Sequence, residues 1–142
     1  PDDLIIKKNC SKSMILVHKK FKTSVMASMK VNKSDVSRWG IYNIKKKIDK
    51  NNFIINNVVE KPSIKTSPSN NAVIGRYILP KTIFSKLKSL KPGKSGEFHI
   101  TDAIQALIED NHQFIGHNFS GKYLDCGTMK GYIKSTLEIS KQ

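Results

Sequence analysis

The sequence predicts an α/β fold with a mostly buried sheet, and three observations carry that expectation. Segments in which apolar residues alternate are interleaved with segments in which they recur every three or four positions, so strands and helices follow one another along the chain. The 142 residues are 38% hydrophobic and 25% charged, a balance suited to one domain with a real core. A chain of this size buries roughly 68–70% of its unfolded surface. No apolar run approaches the ~20 residues needed to span a bilayer, so no membrane partner is expected.

The elements follow in order. Ser11 to Phe21 reads as a helix, with Ser11 as cap, Met14, Ile15, Val17 and Phe21 apolar, and lysines on the other face. Ser24 to Val31 reads as a strand that turns Val25, Ala27, Met29 and Val31 inward. Asn32 to Arg38 is a polar loop or short helical turn. Gly40 to Ile48 and Phe53 to Glu60 are strand-like and are joined by the turn Asp49-Lys50-Asn51-Asn52. Pro62 ends the second of them, because proline has no amide hydrogen for a ladder. Ser63 to Asn70 is a loop, and Ala72 to Leu79 is a further strand. A helix follows directly with Pro80 near its first turn and runs to about Leu90.

Another helix is expected from Asp102, whose spacing to Gln105 fits a capping box, with Ile104, Leu107 and Ile108 as its buried stripe. Phe114 to Phe119 is a short strand and Gly121 a turn. Thr128 to the end is a final helix with Tyr132, Ile133, Leu137 and Ile139 inward. The opening Pro1-Asp2-Asp3 reads as the continuation of a longer chain, just past the carboxyl end of a preceding strand. Ligands of open α/β sheets bind at such an edge.

The net charge is +14, which invites a nucleic-acid reading. Yet 23 of the 25 basic residues are lysine and only Arg38 and Arg76 are arginine, the usual bidentate reader of guanine. The lysines are scattered, no basic groove with interleaved aromatics is present, and Lys, Asn and Ile are the residues of A/T-rich codons. Solvated surface lysines are therefore the preferred reading, with no specific nucleic-acid partner and a general attraction for phosphorylated ligands. Cys10 and Cys126 are the only cysteines, which suits a reducing, cytoplasmic compartment without a structural disulfide. None of the four histidines is spaced from a cysteine or another histidine as a zinc ligand would be.

Several short stretches carry chemistry. Asp2-Asp3, two adjacent carboxylates at a presumed strand end, suit a hard cation such as Mg²⁺, or equally a solvated turn. Asp125 lies in Leu124-Asp125-Cys126-Gly127, between a strand and the last helix. Glu60 and Lys61 place opposite charges side by side where a strand ends, free to face a ligand or simply solvent. Gly40 after Arg38-Trp39 allows close backbone approach, as an ordinary turn also would. Gly75 inside a strand points to a bulge or tight packing. There is no Gly-rich phosphate loop of standard type and no nucleophile elbow.

In order and together these pieces resemble the C-terminal half of the bacterial UTP–glucose-1-phosphate uridylyltransferases. The matching stretches are Pro1 to Ile5, Val36 to Ile41 (Val-Ser-Arg-Trp-Gly-Ile), Val59-Glu60-Lys61-Pro62, Pro68 to Tyr77 (Pro-Ser-Asn-Asn-Ala-Val-Ile-Gly-Arg-Tyr), Lys91-Pro92-Gly93 with Gly96-Glu97, Thr101-Asp102-Ala103, and Gly121-Lys122 with Asp125-Cys126-Gly127. The Glu-Lys-Pro piece is shared by many sugar nucleotidyltransferases, whereas the Pro-Ser-Asn and Asp-Cys-Gly pieces are more specific. Trp39 stands where the family usually has Tyr, and Leu124 where an aromatic usually precedes the aspartate.

The resemblance implies the C-terminal part of a Rossmann-like, mixed-sheet nucleotide-diphospho-sugar transferase fold, with 1–142 as one sugar-phosphate- and metal-binding unit lacking the nucleotide-binding half. It implies that UTP and glucose 1-phosphate become UDP-glucose and pyrophosphate with Mg²⁺ as cofactor, and that the full-length form self-associates. It places the metal on Asp2 and Asp125, sugar hydroxyls on Glu60, the sugar phosphate on Lys61, and the backbones of Gly40 and Val73 along the glucose pocket. Two other readings stand beside it: an inactive truncated remnant of that enzyme, and a basic nucleic-acid-binding module.

Overall fold

The computed structural model describes residues 3–92 and 98–141. Its elements in chain order are β1 (Asp3–Ile6), α1 (Cys10–Phe21), β2 (Ser24–Lys30), a 3-10 turn (Lys33–Arg38), β3 (Gly40–Lys47), β4 (Asn52–Glu60), β5 (Asn71–Ile78), α2 (Ile83–Ser89), α3 (Ile100–Glu109), β6 (Phe114–Asn118), β7 (Lys122–Asp125) and α4 (Met129–Ile139). Strands and helices interleave as expected. The main sheet is mixed and closes on itself in the order β2-β5-β3-β4-β6, with β6 parallel to β2 and the other neighbours antiparallel.

In this sheet β2 lies between β5 and β6. The sequence reading turned only its odd-numbered residues inward, but Val25, Met26, Ala27 and Ser28 are all buried. The reason is that both faces are covered. Val25 and Ala27 join Cys10, Met14 and Val17 of α1 with Ile74 and Ile115. Met26, on the opposite face, joins Tyr42, Phe53, Ile83 of α2, Ala103, Ile104 and Leu107 of α3, and Phe114. Each fully buried aliphatic or aromatic side chain stabilises the fold by ~1.5–3 kcal/mol. Tyr42 donates its hydroxyl to the Ala27 carbonyl at 2.8 Å and meets Phe53 edge-on, with ring centroids 5.5 Å apart. Burial holds the Tyr42 phenol far above its ordinary value, so it stays a hydrogen-bond donor.

Helix boundaries shift for local reasons. The cap of α1 is Asn9, which accepts from the Lys12 amide at 2.8 Å, rather than Ser11. The capping box on α3 does not form, because the helix begins at Ile100 and Gln105 instead donates to Glu109 one turn on. Thr128 caps α4 through the Gly131 amide. The α4 expectation fails in direction: Tyr132, Ile133, Leu137 and Ile139 are exposed, and Ser135 is the buried residue. The inner side of this helix is set by close approach to Asp125. A Cβ on Gly131 would lie 2.3 Å from the Asp125 carbonyl oxygen, which also accepts from the Ser135 hydroxyl at 3.2 Å.

β1 and β7 form a separate antiparallel ribbon pairing Asp3 with Asp125 and Ile5 with Tyr123. Asp3 therefore begins a strand rather than trailing one. Gly75 marks a bulge, as expected: Met26 pairs with Tyr77 and Ala27 with Ile74, leaving Gly75 and Arg76 as extra residues on β5.

Candidate functional site

The register of β3 against β4 sets Gly40 directly opposite Glu60. The 3-10 turn ends at Trp39, so Gly40 opens β3 at the same end of the sheet where β4 closes. A Cβ built on Gly40 would lie 3.0 Å from Glu60 Oε2 and 3.4 Å from side-chain methyls of both Val58 and Val73. Three of the residues singled out in the sequence thus converge, although they lie on three strands. The bare Gly40 backbone lets a carboxylate and two valine side chains come together there. Such a grouping suits a ring that presents hydroxyls to the carboxylate and a carbon face to the valines.

Lys61 lies just past the end of β4, in the left-handed region with φ 43°. Lys61 therefore leaves the strand instead of continuing its alternation. The Lys61 amide donates to the Trp39 carbonyl at 3.0 Å, which ties the end of β4 to the residue before Gly40. Both charged residues are exposed, and Pro62 behind them is buried. Tyr77 lies close enough for charge to be felt: its phenol is pushed up by burial first, then by the Glu60 carboxylate and by Asp3.

Asp125 closes β7. One of its carboxylate oxygens accepts the Gly127 amide at 2.9 Å, and the other faces Arg38 at 3.5 Å. Arg38 also lies over the Trp39 ring, which meets Tyr123 edge-on at 5.5 Å. Arg38 and Trp39 therefore connect Asp125 to Gly40. Asp125 and Arg38 line a cleft of about 690 Å³ against α4 with Lys122, Lys130 and Lys134. Asp3 stands opposite Asp125, but Tyr123 donates its hydroxyl to the Asp3 carboxylate and Arg76 donates to the Asp3 carbonyl at 2.8 Å. Asp2, the other expected metal ligand, lies outside the described residues.

The family of nucleotidyl transferases matches residues 1–142, the whole chain. The chain belongs to that family. A UTP–glucose-1-phosphate uridylyltransferase of Pseudomonas aeruginosa is 37% identical over 125 residues, covering 88% of this chain and 44% of that protein. A Methanocaldococcus jannaschii relative is 36% identical over 140 residues, or 99% of this chain and 49% of its own length. Among solved structures, an apo UDP-glucose pyrophosphorylase superposes with a TM-score of 0.92 at 36% identity over 99% of this chain and 52% of that one. A UDP-glucose pyrophosphorylase complexed with UDP-glucose gives a TM-score of 0.89 at 36% identity, covering 99% and 54%. This nucleotidyl transferase chain spans about half the length of the curated relatives it matches.

A divalent cation is in general use in nucleotidyl transferases of this family. Among the described residues no three His, Cys, Asp or Glu side chains gather into a metal cage. Asp125 offers a partly exposed carboxylate whose outer oxygen meets Arg38. That arrangement fits a Mg²⁺-type ion, which takes one or two carboxylates and completes its shell with phosphates and water. Arg38 had no role in the sequence reading. Its ion pair joins residues 38 and 125, and no local pattern reports such a contact.

Proposed function

We propose that this nucleotidyl transferase chain forms the sugar-phosphate- and metal-binding part of a UTP–glucose-1-phosphate uridylyltransferase. In this reading the phosphate oxygen of glucose 1-phosphate attacks the α-phosphorus of UTP in line, giving UDP-glucose and pyrophosphate. The observation that carries it is the convergence of Gly40, Glu60 and Val73 within 3.0–3.4 Å of a single point, with Lys61 next in the chain.

Each residue has a task suited to its chemistry. Glu60 accepts hydrogen bonds from sugar hydroxyls, and a charged acceptor makes these the stronger kind. Gly40 and Val73 bring backbone and a methyl wall against the ring. Lys61 offers a point charge to the sugar phosphate, holding the attacking oxygen and easing charge build-up. Asp125, with Asp2, would hold Mg²⁺, which when bound screens the phosphates from one another. Arg38 neutralises Asp125 and would be available to a phosphate once a cation took its place.

Titration of the ¹⁵N-labelled chain with glucose 1-phosphate tests this reading. Amide shifts concentrated at Gly40, Lys61 and Val73, abolished by Glu60→Gln, are expected. Shifts spread over the surface lysines, or unaffected by Glu60→Gln, would overturn it.

A further inference from the structure

The bulge on β5 leaves Gly75 and Arg76 as extra residues, and a bulge re-aims the side chain it carries. Arg76 reaches β1, where Nη2 donates to the Asp3 carbonyl at 2.8 Å, while Nη1 donates to the Gly75 carbonyl at 3.0 Å. Both acceptors are neutral carbonyls. The guanidinium is thus fixed in place, and among the described residues no carboxylate forms an ion pair with it. The sugar-phosphate reading gives Arg76 no task.

Arg76 lines a cleft of about 570 Å³ with Leu4 of β1, Ser11 of α1, and Lys7, Lys8 and Asn9 from the turn between them. That volume lies in the range of small-molecule sites, about 300–1,000 Å³. Its described lining holds three cations, Lys7, Lys8 and Arg76, and no carboxylate. The larger cleft at Asp125 differs, because there Arg38 faces Asp125 and Lys122 meets Glu138 at 2.6 Å. Lys7 and Lys8 are exposed and form no ion pair among the described residues. The Glu138 carboxylate feels the Lys7 charge, but Lys122 already pairs with it. Like charges gathered in one concavity raise the local concentration of anions.

We propose that the cleft between Arg76 and the Lys7-Lys8 turn binds a diphosphate group, either free or carried by a nucleotide. One phosphate brings about −1.5 to −2 of charge at neutral pH, less than the three cations offer, and a second phosphate makes up the difference. The cations also come from two elements, Arg76 from β5 and the two lysines from the turn after β1. The planar fork of Arg76 suits two oxygens of one phosphate, and the lysines, on flexible stems, act as point charges on the other. The Ser11 hydroxyl adds a donor. Occupancy bears on Asp125 through one chain of contacts: Arg76 holds the Asp3 carbonyl, and Asp3 pairs with Asp125 across the ribbon. An anion that draws on Arg76 therefore acts on the strand pair that carries that carboxylate.

The test is titration of the ¹⁵N-labelled chain with sodium pyrophosphate in EDTA, which keeps divalent cations off Asp125. Shifts concentrated at the amides of Lys7 to Ser11 and at the Arg76 Nε–H are expected. Lys7→Gln with Lys8→Gln should weaken binding about tenfold. Lys45→Gln with Lys46→Gln removes the same charge from exposed residues of β3 and should weaken it no more than about twofold. Titration with UDP separates the two sources. Tighter binding of UDP, with added shifts at Leu4 and Ile5, assigns a nucleotide, and equal or weaker binding of UDP assigns the free anion. Four outcomes overturn the proposal: shifts spread over the surface lysines, equal weakening by the two lysine pairs, no weakening by either, or inorganic phosphate bound as tightly as pyrophosphate. Glu60→Gln should leave the pyrophosphate shifts unchanged, so a failure of the sugar site and a failure of this cleft are read separately.

Discussion

Glu60 Oε2 occupies the edge of the space that a Cβ on Gly40 would need, 3.0 Å away, across a directly opposed strand pair. The two residues are thus coupled in a way that neither strand alone determines. The absence of a side chain at Gly40 is what lets the carboxylate approach the β3 backbone.

Gly40→Ala should therefore separate stability from binding. The clashing atom is the end of a flexible side chain, so Glu60 can move by a few tenths of an ångström at little cost. A stability change within about 0.5 kcal/mol is expected. The same displacement moves the acceptor and adds a methyl beside it, so affinity for glucose 1-phosphate should fall about tenfold, or ~1.4 kcal/mol. Urea melts beside calorimetric titration of both proteins would check the pair of outcomes.

Gly116→Ala should behave in the opposite way. Its Cβ would lie 2.2 Å from the ring of Phe53, which is buried in the cluster that also holds Tyr42 and Met26. The ring has no free direction to move, so overpacking of ~1–3 kcal/mol is expected. The urea midpoint should drop with an unchanged slope, and the amide shifts on adding glucose 1-phosphate should persist.

His117 joins three elements. Its Nδ1 meets Asn52 Oδ1 at 2.8 Å and its Nε2 meets Ser13 Oγ at 3.0 Å, linking β6 to β4 and α1. The Asp49 carboxylate accepts from the Asn52 amide nitrogen, which fixes the amide so that its oxygen faces the ring. Nδ1 therefore donates. Burial lowers the His117 pKa, against a smaller opposing pull from Asp49. The folded state then binds fewer protons than the unfolded chain just below the ordinary histidine value of about 6.5. Stability from this group is fully present above that pH and declines as pH falls toward the folded-state value. Thermal melts between pH 7.5 and 5 should show that decline, and His117→Gln should flatten it. Equal slopes for the two proteins would assign the acid sensitivity elsewhere.

The legible and illegible parts of this chain divide by range. Phe53 to Glu60 reads as a strand because its punctuation is local, a turn rich in Asp and Asn before it and Pro62 after it, and the strand observed is Asn52–Glu60. The amphipathic pattern of α4 was also readable, but the pattern states only that an apolar side exists, not what lies opposite it. Gly131 and Ser135 decide that, through contacts with the Asp125 carbonyl. The alternation along β2 indicates one inward face, but α1 covers one side and α2 and α3 the other, and only the tertiary fold brings both there. At the site, Glu60 and Lys61 stood out as charges at a strand end. That Gly40 and Val73 share their space required the register of three strands, and the Arg38–Asp125 pair required the whole fold.

Lys61 offers the sharpest conflict between folding and binding. A left-handed backbone costs an L-residue ~1–2 kcal/mol, and Lys61 adopts one at φ 43° while its amide is held by the Trp39 carbonyl. Glycine relieves that cost but adds ~0.5–1 kcal/mol of chain entropy to folding. Lys61→Gly should therefore be as stable as the parent or slightly more so, and more stable than Lys61→Ala by about 1 kcal/mol, since alanine keeps the strain. Both variants remove the ammonium, so both should lose the salt-sensitive part of glucose 1-phosphate binding. Chemical denaturation of the three proteins, with titrations at low and moderate ionic strength, reads both effects. If Lys61→Gly binds as the parent does, the phosphate is held by another cation and the strain at position 61 serves the turn into Pro62 instead.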